Sequence, residues 1–565
     1  MSLRRVALAI ALVLGLMAGM MGAATAAPSM PIFVNGPYTA SLLAKAQPDE
    51  CFNGVGNVYP PGPPCAQGQP KVNQAYVWGL TQAGSNLWFG TAPNVVCLVI
   101  GGYLGMTDPM QNDSYVCEFG QSQVAQTMHL PAMIGDWRPP KIYTYNTVTG
   151  ALVDKSALAG ALLQTTMGLR SAGSLNGVVF LAGPSLSLSG GVNMFAFNAT
   201  TGALIGAQTM PGYDNVRKWI VDQGVLYTSM HKTGGGGSIL RWTGNVGSPF
   251  SFDTVGSIKG DGAELAVYQG NMFVSTWPDT TAIAGLWMSP AIPAGGLTTA
   301  QATGWTKVWD FSQYEPDPIT AATYGGGALI SFGGYLYWGT MHVPLTAALA
   351  HLQKYPTSST AGMLTTIQNT QRAISIFRGQ NFASGTPKVQ VLYGEATLPV
   401  QTGPNSWVQS PNKTGTPLYG KSGFGNQFNN YTWTMSVYKN QLFIGTMDWS
   451  YLFPDFVNGF ASEMLGTSTN LVPRGVSLLM GAGADLWRFP NASSPATAVN
   501  TNGMGNPTSY GIRTMLVSQD TNTLYLGMAN PMNLLTKPSQ PYHGGWELLQ
   551  LKQNYVWSPW GSFGY

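Results

Sequence analysis

Charge is what this chain has least of: Asp, Glu, Lys and Arg make up 9% of its 565 residues, against about 25% in an ordinary soluble domain. Twenty-six basic residues against 23 acidic ones leave a formal charge of +3. No cluster of Lys and Arg follows Arg4-Arg5, which excludes the basic stripe that nucleic-acid binding requires. Histidine is scarce too, and the four cysteines form neither C-x-x-C nor C-x-x-C-H, so no zinc ribbon and no covalently attached haem is expected. A bound quinone is disfavoured because no vicinal cysteine pair is present. No cofactor and no metal are therefore expected. The G-x-S-x-G elbow of serine hydrolases is absent. Gly415 to Ser422 matches P-loop spacing, but Gly423-Phe424-Gly425 follows where a phosphate-binding helix should begin.

What is present points outward from the cytoplasm. Residues 1–26 read as a signal peptide: Arg4 and Arg5, an apolar stretch from Val6 to Met21, then Ala24-Thr25-Ala26 before Ala27. No later run of 18 uncharged apolar residues occurs, so the mature chain is expected to be periplasmic or extracellular with no membrane span. Cys51, Cys65, Cys97 and Cys117 allow three pairings, and local closure favours Cys51 with Cys65 and Cys97 with Cys117. They would staple an N-terminal segment, residues 27–70, ahead of a main domain over residues 71–565. Sparse charge also suits strong acid, where full protonation of the carboxylates would bring the chain to only about +31, and self-repulsion stays modest. A Gly, Ser, Thr and Asn surface is equally common among exported β proteins.

A short apolar strand ending in small residues recurs seven times. It begins at Leu87, Val179, Leu226, Met272, Leu336, Leu442 and Leu524. Several copies follow another apolar strand and a Gly or Asn turn, so each pair reads as a hairpin. Spacings of 46 to 106 residues imply radial repeats. The fold class is all-β, a β-propeller of seven blades, with long gaps that mean insertions or an eighth. Residues 345–372 contain the best helical stretch, expected as a lid or a contact in a homodimer.

Counting nine residues back from Val179 and Leu226, and eleven from Leu524, lands on Arg170, Arg217 and Arg513. The first hairpin strand lines the channel of a propeller, so these arginines would converge as a binding site for a small anionic substrate. The alternative is that each pairs with a carboxylate such as Asp214. The second strands end at Met230-His231, Trp277-Pro278-Asp279, Met341-His342 and Met447-Asp448-Trp449. Asp279 and Asp448 are therefore candidate catalytic acids, followed by Asp261, Glu264 and the Pro-flanked Asp317. His231 and His342 sit at matching positions and join the substrate-binding set.

Ile142 to Asn146 running into Thr149-Gly150-Ala151-Leu152, and Met194 to Asn198 running into Thr201-Gly202-Ala203-Leu204, resemble the repeat of quinoprotein-like propellers. With the signal peptide, length and charge-poor composition, the chain looks like the tetrathionate hydrolases of acidophilic sulfur-oxidising bacteria. That resemblance implies cofactor-free hydrolysis of a sulfur oxyanion at acid pH outside the cytoplasm, and it carries no catalytic residue over. Two other classes stay open: a non-catalytic surface propeller whose aromatic loops bind a glycan or protein, and a polysaccharide-active enzyme with two carboxylates across the channel.

Overall fold

The computed structural model describes residues 31–32, 34–187, 189–466, 471–473 and 481–554; the expected signal peptide lies outside them. Seven strands stand first in successive antiparallel sheets: β1 (Gln74–Ala83), β2 (Ser171–Leu175), β3 (Tyr213–Asp222), β4 (Asp261–Tyr268), β5 (Gly325–Phe332), β6 (Asn429–Tyr438) and β7 (Gly511–Val517). Each pairs with one of the recurring apolar segments as its second strand. The second strands are buried along almost their whole length. Each is covered by the strands on both sides and by neighbouring sheets, which is why they read as continuous apolar runs rather than alternating ones.

The first strands lie side by side in chain order, β1 against β2 and so on to β7, and β7 lies against β1. The sheets thus radiate from a closed ring of first strands around a central channel, the architecture of a β-propeller.

The last sheet is completed from the other end of the chain. Tyr38–Lys45 pairs antiparallel with Glu547–Gln553, from Tyr38 opposite Gln553 to Lys45 opposite Glu547. Tyr38 and Ala40 are buried there, and the Tyr38 hydroxyl donates to Gln441 at 2.8 Å, in the preceding sheet. This corrects the domain boundary expected at residue 71, since residues 38–45 belong to the ring.

One end of the channel is roofed by helices: α1 (Val95–Leu104), α2 (Thr346–Lys354), α3 (Thr360–Thr370) and α4 (Phe453–Leu465). Their apolar side chains, among them Ile100, Leu352, Met363 and Phe460, join one cluster with Tyr76, Trp433 and Trp449. Both disulfides form, Cys51 with Cys65 and Cys97 with Cys117, and the second anchors α1. No described helix is long and apolar enough to cross a membrane.

Beside these disulfides lies a buried charge network. Arg138 holds Glu50 by two contacts of 2.9 Å, while the fully buried Lys71 lies 3.7 Å from Glu118 and 3.6 Å from Asp136. Asp49 sits next to Glu50, so four carboxylates face two cations. Burial, together with the negative charge of Asp136, pushes the Glu118 carboxyl up to about 8, and burial pushes Asp49 to about 6. A carboxyl raised on folding contributes stability below its unfolded value near 4.5, and that contribution is lost as pH climbs through 8. Glu118→Gln, which keeps an acceptor for the Gly56 N–H, is expected to match wild type in acid. Above pH 8 it should exceed it by roughly 5 kcal/mol, since the carboxyl rises from 4.5 to about 8 and each pK unit is worth about 1.4 kcal/mol. Thermal melts of both proteins across pH check this.

Candidate functional site

Six of the seven first strands break register with their partners, and they do so at one level. The shifts fall between Val77 and Gly79, Val216 and Trp219, Gly262 and Leu265, Gly326 and Leu329, Thr432 and Thr434, and Ile512 and Thr514. A bulge leaves its extra residue out of the ladder and re-aims the side chain. Here the residues between the register points include Trp78, Arg217, Glu264, Trp433 and Arg513. Arg170 immediately precedes β2 at the matching place. The channel therefore has a waist built from bulged positions.

Two cavities meet at that waist and share Trp78, Arg170, Arg217, Trp433 and Arg513 in their linings. The one under the helical roof, about 230 Å³, is walled by aromatic and aliphatic side chains such as Tyr76, Val96, Trp277, Tyr431, Leu452 and Phe456. Its described lining contains no Asp, Glu or His. The other, about 330 Å³, opens among Thr81, Gln82, Ser174, Lys218, Glu264 and Gln519.

Each arginine lies over a tryptophan. The guanidinium carbon of Arg170 is 5.4 Å from the Trp78 ring, Arg217 is 4.8 Å from Trp277, and Arg513 is 5.7 Å from Trp433. Stacking holds the planar fork by its face and leaves the N–H edges free. Arg217 and Arg513 are 5% and 6% exposed, yet among the described residues no carboxylate comes within 4 Å of any of the three arginines. Among the described residues, the Arg170, Arg217 and Arg513 Nε atoms and Arg217 Nη1 are buried without a hydrogen-bond partner, and Arg217 Nη2 reaches the Met341 sulfur at 3.7 Å. Burial holds Arg170 and Arg513 down to about 9, and repulsion from Arg217 acts in the same direction on both. Buried donors and positive charge without a partner are costly. An anion at the waist would satisfy both.

Glu264 is the one carboxylate in the described lining of either cavity. It is buried, stands in the β4 bulge, and lies 3.5 Å from the Lys218 ammonium. Its charge favours the protonated forms of Arg217 and Arg513.

The acids and histidines expected at the channel mouth are held elsewhere. Asp279 closes its own turn, accepting from the Thr281 and Ala282 N–H groups and from Gly236 of the adjacent sheet. Asp448 is buried and accepts from Ser450 N–H and the Asn426 amide, while its neighbours Met447 and Trp449 line the roofed cavity. Asp317 caps the turn Pro318–Ala321 and also receives the Gln401 N–H. Its buried carboxyl stays near 2, because hydrogen bonds from His351, Thr320 and Gln401 outweigh the upward effect of burial. His231 faces Asp261 at 3.2 Å and Asp214 at 3.9 Å. His342 bonds Thr340 at 2.7 Å, stacks edge-on against Tyr324 and is held near 3 by burial and by Arg372. Local turns and interblade ties use these five side chains.

The residues missed were Trp78 and Trp433. The nine-residue count from the recurring segments, extended from Val179 and Leu226 to Leu87 and Leu442, lands on both.

Fold and site together define a β-propeller with a cationic, aromatic-lined central channel. No family model matches the chain, and no curated protein is detectably similar. Among solved structures, similarities include the Dos1 propeller (8% identity, 90% of this chain and 95% of that one, TM-score 0.37). The propeller domain of the trilobed protease of Pyrococcus furiosus matches at 6% identity over 84% and 99% of the two chains, TM-score 0.31. A GH43_1 enzyme from Xanthomonas citri matches at 11% identity over 56% and 90%, TM-score 0.25. Scores this low lend no weight to a shared activity, and the fold rests on the strand pairings above.

Proposed function

We propose that this protein is an exported, seven-bladed propeller that binds an oxyanion at the channel waist and hydrolyses it, with a sulfur oxyanion such as tetrathionate at acid pH as the substrate. The observation that carries the reading is the set of three guanidiniums, those of Arg217 and Arg513 buried and that of Arg170 partly buried, with no carboxylate partner among the described residues. A terminal sulfonate would take their free N–H edges, because Arg offers several fixed donors to a multidentate oxyanion. Glu264, on the polar side of the waist, is the group positioned to orient water or pass a proton to the departing sulfur species. Carboxyls held up by burial, such as Asp485 at about 7 and Glu118, suit an acid medium.

A second reading, a binding propeller without catalysis, is favoured by the absence of Asp, Glu and His from the described lining of the roofed cavity. A polysaccharide-active enzyme is less well supported, since Glu264 lacks a second carboxylate in the described lining of either cavity. The purified protein is expected to gain thermal stability with tetrathionate, by RT ln(1 + [L]/Kd), and to turn it over in acid. Glu264→Gln should keep the stabilisation and lose 100-fold or more of the turnover, the size of a general acid–base contribution. Stabilisation without turnover in wild type would select the binding propeller, and neither effect would end the anion reading.

A further inference from the structure

The roofed cavity gives the anion site a second half. Its walls include Tyr76, Val96, Trp277, Tyr431, Leu452 and Phe456, and beyond the three arginines its described lining holds no charged side chain, with Asn215 and the tyrosine hydroxyls among its other polar groups. At about 230 Å³ it exceeds the roughly 150 Å³ of an engineered apolar cavity that takes up benzene. The three Arg–Trp stacks fix the cationic edge at its floor. A ligand held there by one oxyanion group therefore has a large apolar space directly beside it, where burying carbon or divalent sulfur is favourable and burying charge is not.

We infer that the ligand class is a head-and-tail oxyanion: a sulfonate-type head on Arg170, Arg217 and Arg513, and an uncharged apolar tail, alkyl, aryl or sulfur chain, in the chamber beneath α1 and α4. This goes beyond the proposed function while resting on the same arginines: a dianion such as tetrathionate would carry its second sulfonate to the polar side of the waist, where Lys218 lines the other cavity, and leave the chamber unfilled. Discrimination between ligands is then a property of the chamber walls, with Val96 and Val99 of α1 as the side chains that set its depth. A small, fully hydrated anion such as sulfate uses the head site alone.

Titration calorimetry of the full mature protein with methanesulfonate, butanesulfonate, hexanesulfonate, benzenesulfonate and sulfate tests the assignment. Affinity is expected to rise along the alkyl series by up to roughly fourfold per methylene buried, giving at least about tenfold from methane- to hexanesulfonate. Hexylammonium, with the same tail and the opposite head, should not bind. Val99→Trp, at a partly buried roof position, is expected to remove the chain-length dependence while methanesulfonate binds as before. Val96→Phe, a smaller filling change, should cut it partly. Equal affinity for methane- and hexanesulfonate in wild type, or an undiminished chain-length gain in Val99→Trp, would overturn the tail assignment alone. Absence of binding by every anion in the series would overturn the arginine site with it.

Discussion

Exchange of Arg217 for methionine is expected to weaken anion binding by about 100-fold or more while the melting temperature of the ligand-free protein stays level or rises. The two effects have opposite signs because the arginine serves the ligand at the expense of the fold. Arg217 is buried, two of its nitrogens have no partner, and its guanidinium shares the waist with Arg170 and Arg513. Removing one member of a desolvated charge pair typically costs 2–5 kcal/mol of binding, hence the size of the loss. In the ligand-free protein the same change removes a buried charge that has no ion-pair partner among the described residues. What it gives up is the stacking on Trp277, about 1–2 kcal/mol. Calorimetry with tetrathionate and a thermal melt of the same sample read both signs. A variant that binds normally, or one that loses affinity only because it no longer folds, would show that Arg217 is a structural tie.

The second large effect is expected at the seam of the ring. A chain lacking residues 27–46 loses every backbone pairing between Tyr38–Lys45 and Glu547–Gln553 and uncovers buried Leu549 and Leu551. It leaves an unpaired edge on the last sheet, the kind of edge that recruits other chains. Such a protein is expected to lose its cooperative melt and to elute as aggregate in size-exclusion chromatography. Ala40→Asp, which buries a charge at a fully enclosed position of that strand, should reproduce much of the loss with the chain length unchanged. A peptide spanning residues 37–46, added during refolding of the truncated chain, is expected to restore part of the native signal. A truncated protein that melts as wild type does would mean that the other strands hold the ring unaided.

The ring was legible because the buried second strands keep one pattern seven times over, apolar residues closing on Gly-Thr or a similar small pair in six copies and on a single Gly527 in the last. The arginines were legible for a related reason: hairpins of similar length put the waist position nine to eleven residues ahead of the recurring strand. Trp78 and Trp433 obey that rule, but tryptophan at such a position reads as packing until the arginines are seen lying on it. The aspartates misled because residue order gives the end of a strand and not the direction of a side chain; Asp279 and Asp448 turn to nearby N–H groups at a change of direction. The helix α1 was invisible for a different reason. Its sequence, Val95 to Leu104, is apolar on every side even though Gly102 and Tyr103 face solvent, so no periodicity marks the buried face. The strand Tyr38–Lys45 was hidden by its partner, which lies some 500 residues further along.

That last pairing also sets a calendar for the molecule. Ribosomes deliver Tyr38 some 500 residues before Gln553, so the seam is sewn only after every strand between them has been made. Until then the three guanidiniums belong to an unclosed crescent, and the nascent chain has no pore in which to trap a stray anion.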